Sequence, residues 1–209
     1  MCGFAGILSL DGTISNVSRW DNAKKCLHKR GPDSSNVTSI NVGSWQGYFG
    51  HVRLRIVDLH SHADQPFKVE SYTMVYNGEI YNYRELRQEL EANGIHCRDS
   101  SESEVIINLY LKHGLDFINK LNGMFAIAIW DEKLNKLFLI RDRLGEKPLY
   151  YYLENDEIIF GSEIKAILEL TGKLPLDGEA LKQYLSFNYV PSPLTMFQGV
   201  LHVEPGHYV

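Results

Sequence analysis

Hydrophobic and polar residues alternate in short runs along much of the 209-residue chain, and segments with helical spacing lie between these runs. Alternation with period two predicts half-buried strands, and apolar residues three or four positions apart predict amphipathic helices. The predicted strands are 4–10, one or two within 44–58, 72–76, two within 123–140 and a hairpin within 148–162. The predicted helices are 15–28, 83–93, 101–113, 163–170 and 178–187.

Two segments indicate how these elements pack. Ser101 is followed three residues later by Glu104, which is the capping-box pattern that begins a helix. Segment 124–130 is apolar almost throughout, which indicates a strand buried on both faces between two packed layers. Because the strands are joined mainly as hairpins, we expect antiparallel pairing. An α+β fold with two stacked antiparallel sheets flanked by helices fits this pattern, although periodicity alone does not select it.

The composition is that of a soluble globular domain, with 44% hydrophobic and 22% charged residues. A net charge of −5 without a basic stripe predicts no nucleic-acid partner. No apolar run reaches the ~18–20 residues of a membrane span, and no signal-peptide pattern opens the sequence. Three widely spaced cysteines argue against disulfides, so we expect a reducing, cytoplasmic location. Cys26 and Cys97 are expected to be buried, His60 and His62 to lie in a loop, and no metal site is expected.

Cys2 is the residue that suggests catalysis. Removal of Met1 would leave a thiol and a free α-amine on the same residue. Reference pKa values are about 8.5 for the thiol and about 7.7–8.0 for the amine, so the amine can take the thiol proton near neutral pH. Judged from its position alone, Cys2 is better explained as a small apolar residue at the start of a strand, and the rest of the sequence reverses that preference.

Three further segments carry complementary polar groups, and each has an ordinary structural alternative. Arg53 and Arg55 lie on the same face of a strand, where an arginine either grips a carboxylate at two points or faces solvent. Asn77 and Gly78 offer an amide and a backbone N–H that resemble an oxyanion hole, although Asn-Gly is also the commonest hairpin turn. Glu102, in a first helical turn, either caps the helix or holds a ligand ammonium group.

Together these residues supply the parts needed to hydrolyse the side-chain amide of glutamine. An arginine would bind the substrate carboxylate and an acid its ammonium group, while a nucleophile, a base and an oxyanion hole would cleave the amide. The set is Cys2, Arg53, Asn77, Gly78, Glu79 and Glu102.

The chain also resembles, nearly end to end, the N-terminal glutaminase domain of the glutamine-hydrolysing asparagine synthetase family. These domains are class II glutamine amidotransferases of the N-terminal-nucleophile hydrolase superfamily. The matching motifs occur in the family's order and are MCGFAG (1–6), KRGPD (29–33), GHVRL (50–54), YNGEIYN (76–82), GMFA (123–126), RDRLGEKPLYY (141–151), SEIKA (162–166) and PGHY (205–208).

The resemblance implies a four-layer αββα sandwich in which Cys2 is the nucleophile and its own amine is the base. It implies oxyanion donors at Asn77 and Gly78 and a carboxylate-binding guanidinium at Arg53. The remaining implied substrate contacts are Leu54, Arg55, Ile56 and Val57, which line the pocket, and Glu79 and Glu102, which hold the ammonium end.

This sequence departs from the family at two positions. The family usually has aspartate where this chain has Glu102, and histidine where it has Lys29. Glutamate keeps the charge but reaches one methylene farther, so the fit of the ammonium group is expected to change. Segment 141–151 is interpreted as a hairpin packed within the fold, and contact with a neighbouring domain is a second hypothesis for it.

The pyrophosphatase loop of the family's ATP-using synthetase domain is not found in this sequence. Residues 1–209 are therefore predicted to be a single type 2 glutamine amidotransferase domain, excised from a longer protein and needing no cofactor. ATP and Mg²⁺ would act in the synthetase domain, and the partners would be L-glutamine and that domain, with a homodimer left open. The ammonia acceptor, aspartate or another carboxylate, is also open. The alternative functions are a non-catalytic glutamine-sensing module and an amidohydrolase of the same superfamily acting on a different amide.

Overall fold

The computed structural model describes residues 2–10, 14, 19–55, 63–97 and 101–209. Its ten strands are β1 (Gly3–Ser9), β2 (Ser34–Val42), β3 (Trp45–Arg53), β4 (Phe67–Val69), β5 (Tyr72–Ile80), β6 (Gly123–Asp131), β7 (Lys136–Arg141), β8 (Tyr150–Glu154), β9 (Glu157–Gly161) and β10 (Val200–His202). Its α-helices within these ranges are α1 (Trp20–Leu27), α2 (Tyr83–Ala92), α3 (Glu102–His113), α4 (Ile164–Thr171) and α5 (Gly178–Phe187). Short 3-10 helices follow α1 and α3, at His28–Arg30 and Gly114–Lys120.

The strands form two antiparallel sheets. The larger sheet has the order β10-β8-β9-β1-β3-β2, and the smaller sheet has the order β4-β5-β6-β7. Strand β1, which follows Cys2, lies between β9 and β3 in the larger sheet. Strand β5 pairs with β6 along its whole length, so that Asn77 faces Ala126 and Gly78 faces Phe125.

Successive side chains along each strand point to opposite faces of its sheet, so the core consists of three hydrophobic clusters. On β5, the Met74 side chain packs in one cluster with residues of α2 and α3, whereas the Val75 side chain packs between the two sheets. On β1, Ile7 packs against α1 and α4, whereas Leu8 packs between the sheets. Because each sheet is apolar on both faces, the layers are helix, sheet, sheet and helix. The predicted α+β fold and the four-layer αββα sandwich are confirmed.

Most predicted elements are present, and the strands that were not predicted lie at the edges of the two sheets. The hairpins β6–β7 and β8–β9, and helices α2 to α5, fall within one or two residues of the predicted positions. Helix α1 begins at Trp20 rather than at residue 15, and residues 15–18 lie outside the described residues. Strands β2, β4 and β10 were not predicted: β4 and β10 have three residues each, and β2 buries only Ile40 among its nine residues.

The predicted strand 72–76 is longer than the sequence indicated, because β5 continues through Asn77 and Gly78 to Ile80. The turn alternative for Asn77-Gly78 is therefore wrong. A Cβ atom on Gly78 would lie 2.2 Å from the carbonyl oxygen of Met124 on β6. Glycine is required here because the neighbouring strand approaches closely, and not because the chain reverses.

Cys2, Cys26 and Cys97 are free thiols. Cys97 is buried as expected, but Cys26 is only half-buried, so that expectation is wrong for Cys26. His60 and His62 lie outside the described residues. Among the helices of the described ranges, none is both long and apolar enough to cross a membrane.

Candidate active site

A cavity of about 160 Å³ opens where β1 and β3 of the larger sheet approach β5 of the smaller sheet and the start of α3. Seven predicted site residues line it, and they are Cys2, Arg53, Leu54, Asn77, Gly78, Glu79 and Glu102. Arg55 does not line the cavity, and Ile56 and Val57 lie outside the described residues. The seven residues lie far apart in the sequence, between positions 2 and 102, and the fold brings them to one cavity.

Cys2 immediately precedes β1, and a hydrogen bond to its backbone holds it in place. The Cys2 carbonyl accepts a hydrogen bond from Arg30 Nε at 2.8 Å, and Arg30 Nη1 pairs with Glu163 at 2.9 Å. The thiol lies 3.7 Å from the carbonyl oxygen of Leu54. Burial raises the pKa of the Cys2 thiol above its ordinary value, and the charges of Arg53 and Arg30 only partly oppose this effect. The thiol therefore needs a base before it can act as a nucleophile.

Asn77 projects from β5 toward the larger sheet, on the opposite face from Tyr76 and α3, because successive strand residues alternate. Its side chain is 2% exposed and lines the cavity. Its Nδ2 atom is buried and has no hydrogen-bond partner among the described residues. An unsatisfied buried donor costs about 1–3 kcal/mol, so this amide is poised for an acceptor that enters the cavity.

Gly78 presents its backbone at the edge of β5 that faces away from β6. The facing residue, Phe125, bonds through both its N–H and its carbonyl to Asp142 instead of to β5. Gly78 and Phe125 are therefore a non-hydrogen-bonded pair, and the Gly78 N–H points to the opposite edge. On that edge, Gln65 satisfies the N–H of Tyr76 and Glu102 satisfies that of Ile80. The Gly78 N–H between them faces the cavity beside Asn77.

Arg53 is 7% exposed, so the alternative that it faces solvent is wrong. Its Nη1 lies 2.6 Å from Asp64 Oδ1, and Arg55 Nη2 lies 3.0 Å from Asp64 Oδ2. Strand β3 ends at Arg53, yet both arginines reach the same carboxylate, to which the Ser34 hydroxyl also donates at 2.8 Å. Burial would raise the pKa of Asp64, but the hydrogen bonds from Arg53, Ser34 and Arg55 outweigh it and lower the pKa.

Glu102 begins α3, but the capping role falls to Ser101, whose side chain accepts from the Glu104 N–H at 3.3 Å. The Glu102 carboxylate instead turns to β5, where it accepts from the Tyr76 hydroxyl at 2.8 Å and from the Ile80 N–H at 3.2 Å. Burial raises the pKa of Glu102 to about 7; the Glu79 charge adds to this, and the two hydrogen bonds oppose it. Glu102 is therefore a carboxyl group that changes charge near neutral pH.

Four residues at or beside the cavity were not predicted to be site residues. Gln65, Tyr76 and Lys147 line the cavity, and Asp64 binds Arg53. Lys147 is 5% exposed and lines the cavity although it lies about 70 residues beyond Asn77. The hairpin interpretation of 141–151 is wrong: β7 belongs to the smaller sheet and β8 to the larger, so the segment crosses between sheets. Tyr76 and Lys147 lie in motifs that carry the family resemblance, YNGEIYN (76–82) and RDRLGEKPLYY (141–151), so the sequence offered a reason to select them. No feature of the sequence marked Asp64 or Gln65.

Asp142 fixes the conformation of this crossover. Its carboxylate accepts backbone hydrogen bonds from Phe125, Leu144, Glu146 and Lys147 at 2.9–3.2 Å. The Arg141 guanidinium donates to the carbonyls of Gly145, Lys147 and Val203. These bonds place Lys147 at the cavity by satisfying the loop backbone with two buried charged side chains.

Comparison with known proteins shows the family of this chain. A family model described as a glutamine amidotransferase domain matches residues 1–209. Glutamine-hydrolysing asparagine synthetases 3 and 1 of Bacillus subtilis (strain 168) are each 39% identical over 99% of this chain, which corresponds to 34% and 33% of their own lengths. Amidase chry2 of Gibberella zeae is 32% identical over 100% of this chain and 32% of that protein. The chain thus spans about a third of the length of these relatives.

Solved structures show the same fold. Glutamine phosphoribosylpyrophosphate amidotransferase from Bacillus subtilis superposes with a TM-score of 0.65 at 21% identity, over 81% of this chain and 43% of that chain. A structure described as the allosteric regulatory enzyme of purine biosynthesis gives a TM-score of 0.67 at the same identity and coverage. The chain therefore belongs to the glutamine amidotransferase domain family, and it has the fold of the solved glutamine phosphoribosylpyrophosphate amidotransferase.

Proposed function

We propose that this chain hydrolyses L-glutamine to glutamate and ammonia through a thioester on Cys2. The observation that carries the proposal is the buried Asn77 amide, which lines the same cavity as the thiol and has no hydrogen-bond partner among the described residues. Two donors at one point of the cavity, from Asn77 and Gly78, suit an oxygen that gains negative charge during acyl transfer.

In the first step the α-amine of Cys2, free after removal of Met1, takes the proton of Sγ. The sulfur attacks the δ-carbon of glutamine, and the carbonyl electron pair moves to oxygen, which accepts hydrogen bonds from Asn77 Nδ2 and the Gly78 N–H. The carbon–nitrogen bond then breaks, the amine-borne proton passes to the leaving nitrogen, and ammonia departs. Water attacks the thioester and the amine takes its proton. The carbon–sulfur bond then breaks to give glutamate, and the amine passes the proton to the departing sulfur, which restores the thiol.

The same cavity supplies groups for the two ends of the amino acid. Arg53 is assigned to the α-carboxylate, with the backbone of residues 54–57 along the substrate. Glu79 and Glu102 are assigned to the α-ammonium, since both line the cavity and carry the opposite charge when ionised. Because the pKa of Glu102 is raised to about 7, its contribution requires neutral or alkaline pH.

The fate of the ammonia is proposed from the longer relatives. Residues 1–209 would be the type 2 amidotransferase domain of a cytoplasmic protein whose synthetase domain uses ATP and Mg²⁺ and makes asparagine or another amide. No cofactor is assigned to the glutaminase domain, and the synthetase domain is its proposed partner, with a homodimer left open. The similarity to an amidase supports one alternative function, which is hydrolysis of an amide other than glutamine.

The deciding experiment measures ammonia released from L-glutamine by protein whose intact mass shows that Met1 is removed. The wild type should release ammonia, and Cys2→Ser should reduce the rate at least a hundredfold; undiminished release by Cys2→Ser would contradict the mechanism. A glutamine-like diazoketone should label Cys2 alone, which separates a catalyst from a glutamine sensor. A panel of other amides, tested for ammonia release, separates glutamine from another substrate.

A further inference from the structure

We propose that Tyr76 is a positioning residue whose hydroxyl group fixes the Glu102 carboxylate for the α-ammonium group of the substrate. The inference rests on the proposed function and extends it to a residue to which the proposed cleavage steps assign no part.

The backbone of Tyr76 is held rigidly from two sides. The Gln65 side chain makes the two hydrogen bonds that a neighbouring strand would make to Tyr76. Its Oε1 accepts from the Tyr76 N–H at 2.5 Å, and its Nε2 donates to the Tyr76 carbonyl at 3.1 Å. The same carbonyl lies 3.1 Å from Nε2 of His51 on β3. A carbonyl accepts hydrogen bonds, so Nε2 of His51 carries the proton. Burial lowers the pKa of His51 to about 4, which keeps the ring neutral and this tautomer in place.

The Tyr76 side chain projects to the face of β5 opposite Asn77, toward α3. Its hydroxyl donates to Glu102 Oε2 at 2.8 Å, while the Ile80 N–H donates to Oε1 at 3.2 Å. Each carboxylate oxygen therefore has one fixed donor and retains a lone pair for a ligand. Burial raises the pKa of Tyr76 well above its ordinary value, and the Glu102 charge adds to this, so the hydroxyl stays protonated and donates at every working pH.

A flexible glutamate gains most from such a fixed donor. Its long side chain loses rotamer entropy on ordering, and a carboxylate held by two donors has already met that cost before the substrate binds. Besides Tyr76, the charged and titratable groups that share the cavity with Glu102 are Cys2, Arg53, Glu79 and Lys147. Of these, Glu79 carries the same sign of charge as Glu102, and two carboxylates on one cavity favour a cationic ligand group between them.

The test is a double-mutant cycle in a Cys2→Ala background, in which glutamine binds without turnover. The dissociation constant of L-glutamine is measured by calorimetry at pH 8 for Tyr76→Phe, Glu102→Gln and the double variant. Tyr76→Phe should weaken binding at least tenfold when Glu102 is present and by less than twofold when Glu102 is replaced by glutamine. Phenylalanine keeps the ring in the apolar cluster between β5 and α3, so the fold is retained.

Tyr110→Phe is the matched control, because it removes a buried tyrosine hydroxyl that donates to Asp131 at 2.7 Å in the same helix–sheet layer. It should leave the dissociation constant within twofold. Tyr76→Phe should also move the acid limb of glutamine binding to higher pH, since the hydroxyl stabilises the ionised form of Glu102.

Equal weakening in both backgrounds, or no weakening by Tyr76→Phe, would overturn the positioning role. A wild type that releases no ammonia contradicts the hydrolysis proposal alone, because the binding cycle does not depend on turnover.

Discussion

At the scale of single residues, Asn77 matters most because it offers a buried donor with no partner among the described residues. Removing one oxyanion donor typically lowers kcat by about 10²–10³. We expect Asn77→Ala to lose at least a hundredfold in ammonia release while glutamine binding changes little. Asn119→Ala, an exposed asparagine on the 3-10 helix after α3, is the control and should retain full activity. Retention of more than a third of the wild-type rate by Asn77→Ala would refute the oxyanion assignment.

We expect Glu102 to make glutamine recognition depend on pH. Its pKa is raised to about 7, mainly by burial, so the carboxyl group is neutral below that pH and ionised above it. The ammonium contact is therefore lost as the pH falls through about 7, and the affinity for glutamine, measured as the dissociation constant in the Cys2→Ala background, should fall with it. In Cys2→Ala/Glu102→Gln this acid limb of binding should disappear, leaving a weaker affinity that changes less with pH. An unchanged acid limb in Glu102→Gln would assign the titration to another group.

The predicted residues that line the cavity share one property, which is that the chemistry expected of them can be read from a local motif. Cys2, Asn77 and Gly78 fall in this class. Asp64 and Gln65 do not, because their roles consist of contacts made in the fold: Asp64 with two arginines and Ser34, Gln65 with the backbone of Tyr76. An aspartate or glutamine in a polar segment has no sequence signal for such partners.

At the scale of elements, the crossover between β7 and β8 depends on Asp142. Its buried carboxylate satisfies four backbone N–H groups, and hydrogen bonds to charged groups contribute about 1.5–3 kcal/mol each before coupling. We expect Asp142→Ala to lower the free energy of unfolding by at least 3 kcal/mol, measured by urea denaturation. Asp116→Ala, at an exposed position, should change it by less than about 0.5 kcal/mol. Equal effects of the two substitutions would show that the loop does not depend on this carboxylate.

The elements that the sequence predicted are those with strong periodicity or clear turns. Strand β6 has an uninterrupted apolar run, and α3 has its Ser101 cap, so both were placed within about two residues. The edge strand β2 has mostly exposed or half-buried side chains and lacks the alternation that marks a buried face. Strand β5 was predicted too short because a turn dipeptide lies inside it, where pairing with β6 overrides the local preference.

At the scale of the whole molecule, the cavity exists because two sheets meet. Cys2 and Arg53 come from the larger sheet and its loops, whereas Asn77, Gly78 and Glu79 come from the smaller sheet. A ligand that contacts both sets can bind only where the two sheets are packed together. Glutamine should therefore bind the folded chain and not the unfolded chain, and it should stabilise the entire domain by mass action.

Thermal unfolding of processed Cys2→Ala protein measures this coupling. Glutamine at a hundredfold excess over its dissociation constant contributes about 2.7 kcal/mol, which for a chain of this size raises Tm by about 5–10 °C. In Cys2→Ala/Arg53→Ala, the same glutamine concentration should give a shift of less than about 2 °C relative to that variant without ligand, because the contact assigned to the α-carboxylate is lost. Equal shifts in the two proteins would show that glutamine does not bind through Arg53 and would refute the assignment of its guanidinium to the α-carboxylate.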